Sequence, residues 1–599
     1  MRSRYEKLIT LFTGRGRKQF IVLFSAVIVM GLIQILGVGS IIPFVSLLVN
    51  PELVERRSEL KWFYEAGGFS DVESFIFVIG VGVLIVLVLG NAFSAFTIWL
   101  IAKFTWGNQV YLSSRLLQNY IQRPYEFFIG RNSSDISKNV LFESMQLTQG
   151  VLVPAINILA FGITGALIIG FLFWLNPLLT LITTCVFVIS YLVIYLFIRR
   201  PLDRLGGVRL TANSERFRSV HEAFGSIKEV KILNREHSFV RRYEGAARVF
   251  GRTLISQQVL ALLPRYVIET ALFSMLMSVL LYMLYIDVQM ENFLPMASAF
   301  AFAGYRLLPI MQRVFSAANA LRFNSSVLDS LHSDMIGAAD VGVQTEYRDD
   351  VNFRDEICVE GVSYQYPESV GLALKEIDLA IPRGSFVALV GETGSGKTTL
   401  ADILLGLLAP KSGRLLVDGV ELDGENMRAW RSKLGYVPQN IYLVDNSVAA
   451  NIAFGIPEQD IDWMAVERAA KTANIHDFVA DQLVDGYRTI VGERGVKLSG
   501  GQRQRIGIAR ALYHNPEVLI LDEATNALDS VTEESVHLAM MQAAEEKTVL
   551  VIAHRFETIR NCDRIFVLDA GAVIASGTYT ELFESSSKFR NLANNLSAG

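Results

Sequence analysis

The chain has 599 residues, 51% of them hydrophobic, and a formal net charge of −4. That length leaves room for more than one domain, and the slightly acidic balance leaves no electrostatic footprint for nucleic acid. Three cysteines, Cys185, Cys358 and Cys562, stand without ligand spacing and give neither a disulfide framework nor a zinc site. Composition is uneven: the first half is apolar with few charges, and the part after about Asp340 has the make-up of a soluble α/β domain.

The N-terminal MRSRYEKLITLFTGRGRKQF is basic and precedes the apolar run from Phe20 to Val49. That run is longer than a signal peptide's apolar region and has no clear small-residue cleavage site, so a retained first span is expected. A spanning helix needs about 20 apolar residues. Six spans are expected, at about 20–48, 74–101, 147–174, 177–199, 255–286 and 293–320. The links after the second and fourth are long and carry Arg115, Arg123, Arg131, Lys138, Arg204, Arg216, Lys228 and Arg235; the other links carry little positive charge. The positive-inside rule then places both termini in the cytoplasm.

Between the first two spans lies PELVERRSELKWFYEAGGF. At helical spacing Leu53, Leu60 and Tyr64 share a face with Phe63 at its edge, although Arg56 falls on the same side. Trp62 and Tyr64 suit a headgroup region. This stretch is either an interfacial helix or a solvated loop.

Span five, ALLPRYVIETALFSMLMSVLLYMLYI, holds Pro264, Arg265 and Glu269, and span six holds Arg306 within GYRLLP. A charge in hydrocarbon costs roughly 2.5–3.5 kcal/mol. Arg265 and Glu269 are four apart and can pair on one helix face. Arg306 would lie roughly 20 Å below the outer surface and has no acidic neighbour four residues away. A water-filled cavity would make all three charges tolerable, and guanidinium binds phosphate through paired donors. Arg265, Arg306 and Glu269 are therefore the candidate substrate residues, the two arginines forming a path for an anionic headgroup.

GETGSGKTT, Gly391 to Thr399, follows the strand-like FVALV and precedes the helix-like LADILLGLL, the context that a P-loop requires. Its glycines let backbone N–H groups turn toward phosphate, and the helix N-terminus adds its positive dipole end. Lys397 is expected to reach the β/γ-phosphates and Thr398 to ligate Mg²⁺. Further on, VLILDEATNALD ends an apolar strand in Asp522 and Glu523. Asp522 can hold Mg²⁺ through water, and Glu523 can polarise the attacking water. KLSGGQRQRIGIARAL sets Ser499, Gly500 and Gly501 at the start of an amphipathic helix, a second phosphate-facing N-terminus.

With LSGGQ at Leu498–Gln502, the chain resembles an ATP-binding cassette (ABC) exporter half-transporter, membrane and nucleotide domains fused. The resemblance implies a helical membrane domain of six spans followed by an α/β P-loop ATPase. It divides the chain into a transmembrane domain at 1–335, a linker at 336–355 and a nucleotide-binding domain at 356–599. It also implies roles: Tyr366 in YQYP stacks on adenine, and Gln439 in YVPQN senses Mg²⁺. VGERG lies near the coupling helices, Asp529 in NALD lies in the loop crossing the nucleotide interface, and His554 in VIAHR contacts the γ-phosphate. The family commonly has Ser where Asn526 stands. The implied ATP set is Tyr366, Gly391, Glu392, Thr393, Gly394, Ser395, Gly396, Lys397, Thr398 and Thr399, with Ser499, Gly500, Gly501, Gln502 and Asp529. Glu523, His554 and Gln439 are the implied catalytic residues, and Thr398, Gln439 and Asp522 the Mg²⁺ ligands.

Family logic places two cassettes head to tail, so one cassette per chain implies a dimer. None of the motifs is degenerate, which favours a homodimer over a heterodimer. Arg123–Val140 and Glu222–Glu236 resemble the regions around the family's coupling helices. QILGVGSIIPFVSLL, GSIKEVKILNRE, PRYVIE and GYRLLP resemble PglK-type lipid-linked oligosaccharide flippases. That subgroup implies a polyprenyl-pyrophosphate-linked oligosaccharide moved across a bacterial inner membrane, the ATPase domain being cytoplasmic. A lipid A-type flippase, a multidrug or peptide exporter and an ATP-gated channel stay open as alternatives.

Overall fold

The computed structural model describes residues 17–286, 290–339, 351–522 except 368, 546–553 and 556–597. The chain divides into two compact units: Met1–Arg123 with Arg131–Val341, and Pro124–Gly130 with Gly342–Gly599.

The first unit is helical. Its elements are α1 (Arg17–Gly39), α2 (Ile41–Val49), α3 (Ser58–Ala66), α4 (Val72–Ile121), α5 (Ser133–Leu175), α6 (Pro177–Gly225), α7 (Glu236–Ile286), α8 (Met290–Phe323) and α9 (Ser325–Ala339). Among the described residues four stretches are long and apolar enough to cross a membrane: Lys18–Val49, Val72–Ile121, Ser133–Leu175 and Pro177–Gly225. The other two expected spans fall on α7 and α8, where many side chains lie outside the described residues. With 50 residues, α4 is about 75 Å long, more than twice the hydrocarbon thickness. The helix therefore continues well past the expected span 74–101, through the polar stretch that ends at Ile121.

Close helix approach is written into small residues. A Cβ on Gly206 of α6 would lie 2.0 Å from the carbonyl oxygen of Phe323 in α8, so only glycine fits. Nearby, α5 contains two π-helical turns, Asn139–Glu143 and Thr148–Leu152. Glu143, at the end of the first, is fully buried. Its carboxylate accepts from Arg209 Nη2 at 2.9 Å and Asn213 Nδ2 at 2.8 Å, both on α6. A second polar node gathers on Asp334 of α9: its carboxylate accepts from Tyr120 Oη at 2.6 Å, Asn139 Nδ2 at 3.1 Å and Arg131 Nη1 at 3.2 Å. Its carbonyl oxygen accepts from Arg123 Nη2 at 2.7 Å.

The stretch between the first two spans forms two short helices, Leu53–Arg56 and α3, and Leu53, Leu60 and Tyr64 share a face as helical spacing implied, turned toward the protein. Leu53, Leu60 and Tyr64 pack inward against Leu47, Val54 and Phe75. The Tyr64 ring meets Phe75 edge-on at 5.5 Å. Trp62 and Phe63 are the exposed pair, 64% and 60% accessible. Tyr64 is thus not a headgroup-facing side chain; Phe69 and Phe75 give it a better-packed apolar partner.

In the second unit a sheet with strand order β10-β9-β3-β8-β7-β6 joins a four-stranded antiparallel sheet ordered β2-β1-β4-β5. The strands are β1 (Glu356–Tyr364), β2 (Leu374–Pro382), β3 (Phe386–Val390), β4 (Ser412–Val417), β5 (Val420–Glu421), β6 (Leu434–Val437), β7 (Val518–Asp522), β8 (Thr548–Ile552), β9 (Arg564–Asp569) and β10 (Ala572–Gly577). The pairs of β3 with β8 and β9, and of β7 with β6 and β8, are parallel. Strand FVALV is buried throughout, as expected for a parallel sheet covered on both faces. Its side chains alternate: Phe386, Ala388 and Val390 enter one core, Val387 and Leu389 the other. Helices α10 (Lys397–Leu404) and α11 (Gly500–Leu512) flank this sheet.

Candidate functional site

Strand register brings the nucleotide motifs to one edge. Leu389 of β3 and Asp522 of β7 both pair with Ile552 of β8. Asp522 therefore sits two strands from the start of the P-loop, about 10 Å across the sheet. β6 pairs with β7 up to Val437↔Leu521, so exposed Gln439, two residues on, leaves the sheet beside Asp522.

The P-loop bends through Gly394 at φ 83° and Gly396 at φ 105°, conformations open to glycine and strained for other residues. Such alternation turns successive N–H groups toward one concavity, an anion nest, and α10 begins directly after it. Lys397 Nζ donates to the carbonyls of Gly391 and Glu392 at 2.8 and 2.9 Å, which places its charge across the loop. Ser395 Oγ is buried with no hydrogen-bond partner among the described residues. An unsatisfied buried hydroxyl costs free energy, and a phosphate oxygen would satisfy it. Thr398 is exposed at the helix start, whereas Thr399 is buried. These residues fit a nucleoside triphosphate.

Tyr366 lies beside the loop, its hydroxyl 3.0 Å from Thr399 Oγ1 and its ring edge-on to Tyr364 at 5.1 Å and 89°. Ser499 caps α11 with a reciprocal box: Ser499 Oγ accepts the Gln502 N–H at 3.2 Å, and Gln502 Oε1 accepts the Ser499 N–H at 2.8 Å. That box orders LSGGQ as a helix N-terminus, whose first N–H groups have no intrahelical acceptor. Glu523, Asn526, Asp529 and His554 lie outside the described residues.

Sequence reasoning missed Asp402, on α10 one turn past the P-loop. Burial first, then the charge of Asp522, pushes its carboxyl up to about 6. Its spacing from Lys397 puts it near the sheet edge, but the neighbouring charge comes from a distant strand. Among the described residues no group of three or more His, Cys, Asp or Glu forms a metal cage. Mg²⁺ in such sites is held by one or two protein oxygens together with phosphates and water, which Thr398 and Asp522 can supply. When bound, ATP with Mg²⁺ provides the transferable phosphoryl group. Of the chain's own residues, the P-loop would cradle the phosphates, Lys397 holds its positive charge at that loop, and Tyr366 stands beside it as the candidate platform for the base.

In the helical unit the candidate substrate residues do not share one environment. Arg265 Nε lies 3.7 Å from Glu269 Oε2, a pair on one face of α7. Arg306 has no carboxylate partner among the described residues; its Nη1 donates to Asn91 Oδ1 at 3.1 Å and its guanidinium lies 5.5 Å from the Phe302 ring. Arg313 was not anticipated. It stands on the same helix with its guanidinium 4.6 Å from the Phe161 ring, again without a carboxylate among the described residues. Seven residues separate the two arginines, two helical turns and about 10 Å on one face. That spacing was the available signal.

A P-loop, an LSGGQ-capped helix and an acidic strand end around one mostly parallel sheet, fused to a bundle of apolar helices, define a membrane-bound cassette ATPase. Comparison with known proteins agrees: residues 374–526 match the ABC transporter family and residues 20–312 the ABC transporter transmembrane region. The chain belongs to the ABC transporter family and is an ATP-hydrolysing, multi-pass membrane transporter. Similar proteins include an ATP-dependent lipid A-core flippase of Cupriavidus pinatubonensis, 32% identical over 493 residues (81% of this chain, 82% of the relative). One of the same description from Alkalilimnicola ehrlichii is 40% identical over 321 residues, 53% of each chain. Among solved structures, a bacterial Atm1-family ABC exporter with ATP bound superposes with a TM-score of 0.77 over 97% of this chain and 99% of that one. At 23% identity the likeness is one of fold.

Proposed function

We propose that the protein uses ATP hydrolysis to flip a lipid with a phosphorylated head, most specifically a polyprenyl-pyrophosphate-linked oligosaccharide, across the bacterial inner membrane. The observation that carries this is the pair Arg306 and Arg313: two cations on one helix of an apolar bundle, without a carboxylate partner among the described residues. Arg306 is half-buried and Arg313 exposed on this helix; a charge at membrane depth is costly unless a ligand or water compensates it, and two guanidinium groups about 10 Å apart suit a bisphosphate-sized head. Arg265, paired with Glu269, is the weaker contributor. A lipid A-type head is the second reading, favoured by relatives described as lipid A-core flippases.

In this account residues 1–335 are the transmembrane domain, 336–355 a linker and 356–599 a cytoplasmic nucleotide-binding domain. Two copies form a homodimer, each ATP held by one protomer's P-loop and the partner's LSGGQ. Mg²⁺ joins Thr398, Asp522 and Gln439. Glu523 polarises water, His554 contacts the γ-phosphate and Asp529 lines the interface. The test is ATPase stimulation of the full chain in proteoliposomes. The proposal expects stimulation by polyprenyl-pyrophosphate oligosaccharide and none by a neutral glycolipid with the same tail. Stimulation by lipid A alone would select the second reading; equal response to the neutral lipid would refute both.

A further inference from the structure

Among the described residues Arg306 of α8 makes one hydrogen bond, and it crosses to α4: Nη1 donates to Asn91 Oδ1 at 3.1 Å. The Phe302 ring lies 5.5 Å from the same guanidinium. Asn91 and Arg306 both fall within expected spans, 74–101 and 293–320. Asn91 is exposed and Arg306 half-buried, so the pair can be reached from outside the bundle. The part of α4 that carries Asn91 is held against α1. A Cβ on neighbouring Gly90 would lie 3.2 Å from Ile33 Cγ2. One turn on, Ser94 Oγ accepts from Gln34 Nε2 at 3.2 Å and donates to the Gly90 carbonyl at 2.8 Å. A small residue at the contact and a hydrogen bond across it are what hold two helices together at membrane depth. Asn91 therefore stands on a fixed support.

We propose that Asn91 is a positioning residue for Arg306: a neutral tether that aims the guanidinium at an anionic headgroup without cancelling its charge. The tether rests on the reading of Arg306 as a headgroup contact. An arginine side chain has many rotamers, and ordering them at the moment of binding weakens affinity. Asn91 and Phe302 restrict them before the ligand arrives. Held at Nη1, the guanidinium keeps its Nε–Nη2 edge without a protein acceptor among the described residues. Such an edge grips two phosphate oxygens side by side. The neutrality of the amide is the second half of the device. A carboxylate in this place would pair with Arg306, as Glu269 pairs with Arg265 at 3.7 Å, and a cation already paired attracts an anion weakly. An amide oxygen orders the cation and leaves its net charge to the ligand. Arg313 rests on the Phe161 ring and has no such tether among the described residues. Arg306 thus fixes direction, and Arg313 adds charge two turns away.

The experiment titrates polyprenyl-pyrophosphate oligosaccharide against the ATPase of the full-length protein in proteoliposomes, reading the half-saturating lipid concentration and the maximal stimulated rate separately. Asn91→Ala raises the half-saturating concentration about five-fold, the worth of one net hydrogen bond, and changes the maximal rate by less than about two-fold. Asn91→Asp raises it further, by at least about tenfold, because the new carboxylate both pairs with Arg306 and repels the head. Asn91→Gln, which keeps an amide oxygen on a longer arm, falls between the unsubstituted protein and Asn91→Ala. Adding Asn91→Ala to Arg306→Ala weakens the lipid by less than about two-fold more, as action through one shared bond requires. An Arg306→Ala effect without any shift in Asn91→Ala and Asn91→Asp overturns the tether and leaves the headgroup reading standing. Loss of maximal rate at an unchanged half-saturating concentration also overturns it, making Asn91 a mere support of the bundle. Arg306→Ala without effect overturns the headgroup reading, and the tether with it. Should Asn91→Asp fail to fold, Asn91→Ala, at an exposed position, decides the matter alone.

Discussion

Asp402→Asn should stabilise the protein at pH 8 and do so less at pH 5. Asp402 is buried beside the charge of Asp522, and its carboxyl stands at about 6 against an ordinary 3.8. The folded state therefore holds this proton more tightly than the unfolded chain. The associated stability is full below about pH 4 and is lost as pH rises through about 6. Two pKa units correspond to about 3 kcal/mol at most. Water reaches part of the carboxylate, so about 1–2 kcal/mol is the expected gain on neutralising it. For a unit of this size that is about 2–8 °C in Tm. The assay is thermal unfolding of the nucleotide-free, full-length protein in detergent. At pH 5 wild-type Asp402 is mostly protonated when folded, and the gain should shrink by about half. An equal gain at both pH values, or none at pH 8, would refute the electrostatic reasoning.

Three further outcomes are expected. Glu143→Ala leaves Arg209 charged and buried without its partner, and should cost about 3–5 kcal/mol, seen as a lower Tm; adding Arg209→Met should recover most of it. Glu523→Gln should keep ATP binding and nearly abolish turnover, whereas Lys397→Ala should weaken binding too; mixing chains disabled at Lys397 with chains disabled at Ser499 should restore one composite site per mixed dimer. Spin labels at 62 and 63 should contact lipid-phase quencher, with labels at 60 and 64 shielded; the reverse pattern would turn the Leu60 and Tyr64 face toward lipid.

Much of the architecture was legible because it rests on local rules. Apolar runs of spanning length located helices, FVALV read as a strand, and glycine spacing marked the P-loop. What escaped depends on partners distant in sequence. Either stripe of α3 could have been the covered one; Phe69 and Phe75 chose Leu60 and Tyr64. Tyr366 offered a ring for a base, but its bonds to Thr399 and its contact with Tyr364 need the folded sheet. The assignment of Pro124–Gly130 to the nucleotide-binding unit leaves no periodic trace in the sequence. The i, i+4 spacing already offered Arg265 a partner in Glu269 and gave Arg306 none, and the structure agrees; the contact of Arg306 with Asn91, on a different helix, had no local signal.

The most direct measurement is ATP-driven flipping of a headgroup-labelled polyprenyl-pyrophosphate oligosaccharide by the full chain in proteoliposomes, counted as lipids moved per ATP hydrolysed. The unsubstituted protein should flip this lipid only with hydrolysable ATP. Arg306→Ala with Arg313→Ala should lower the ratio by at least about tenfold, the loss expected for removed charge-assisted bonds. Arg306→Lys should retain part of it, since ammonium keeps the charge without the fork. Flipping at the wild-type ratio by a normally folded double alanine variant would contradict the account.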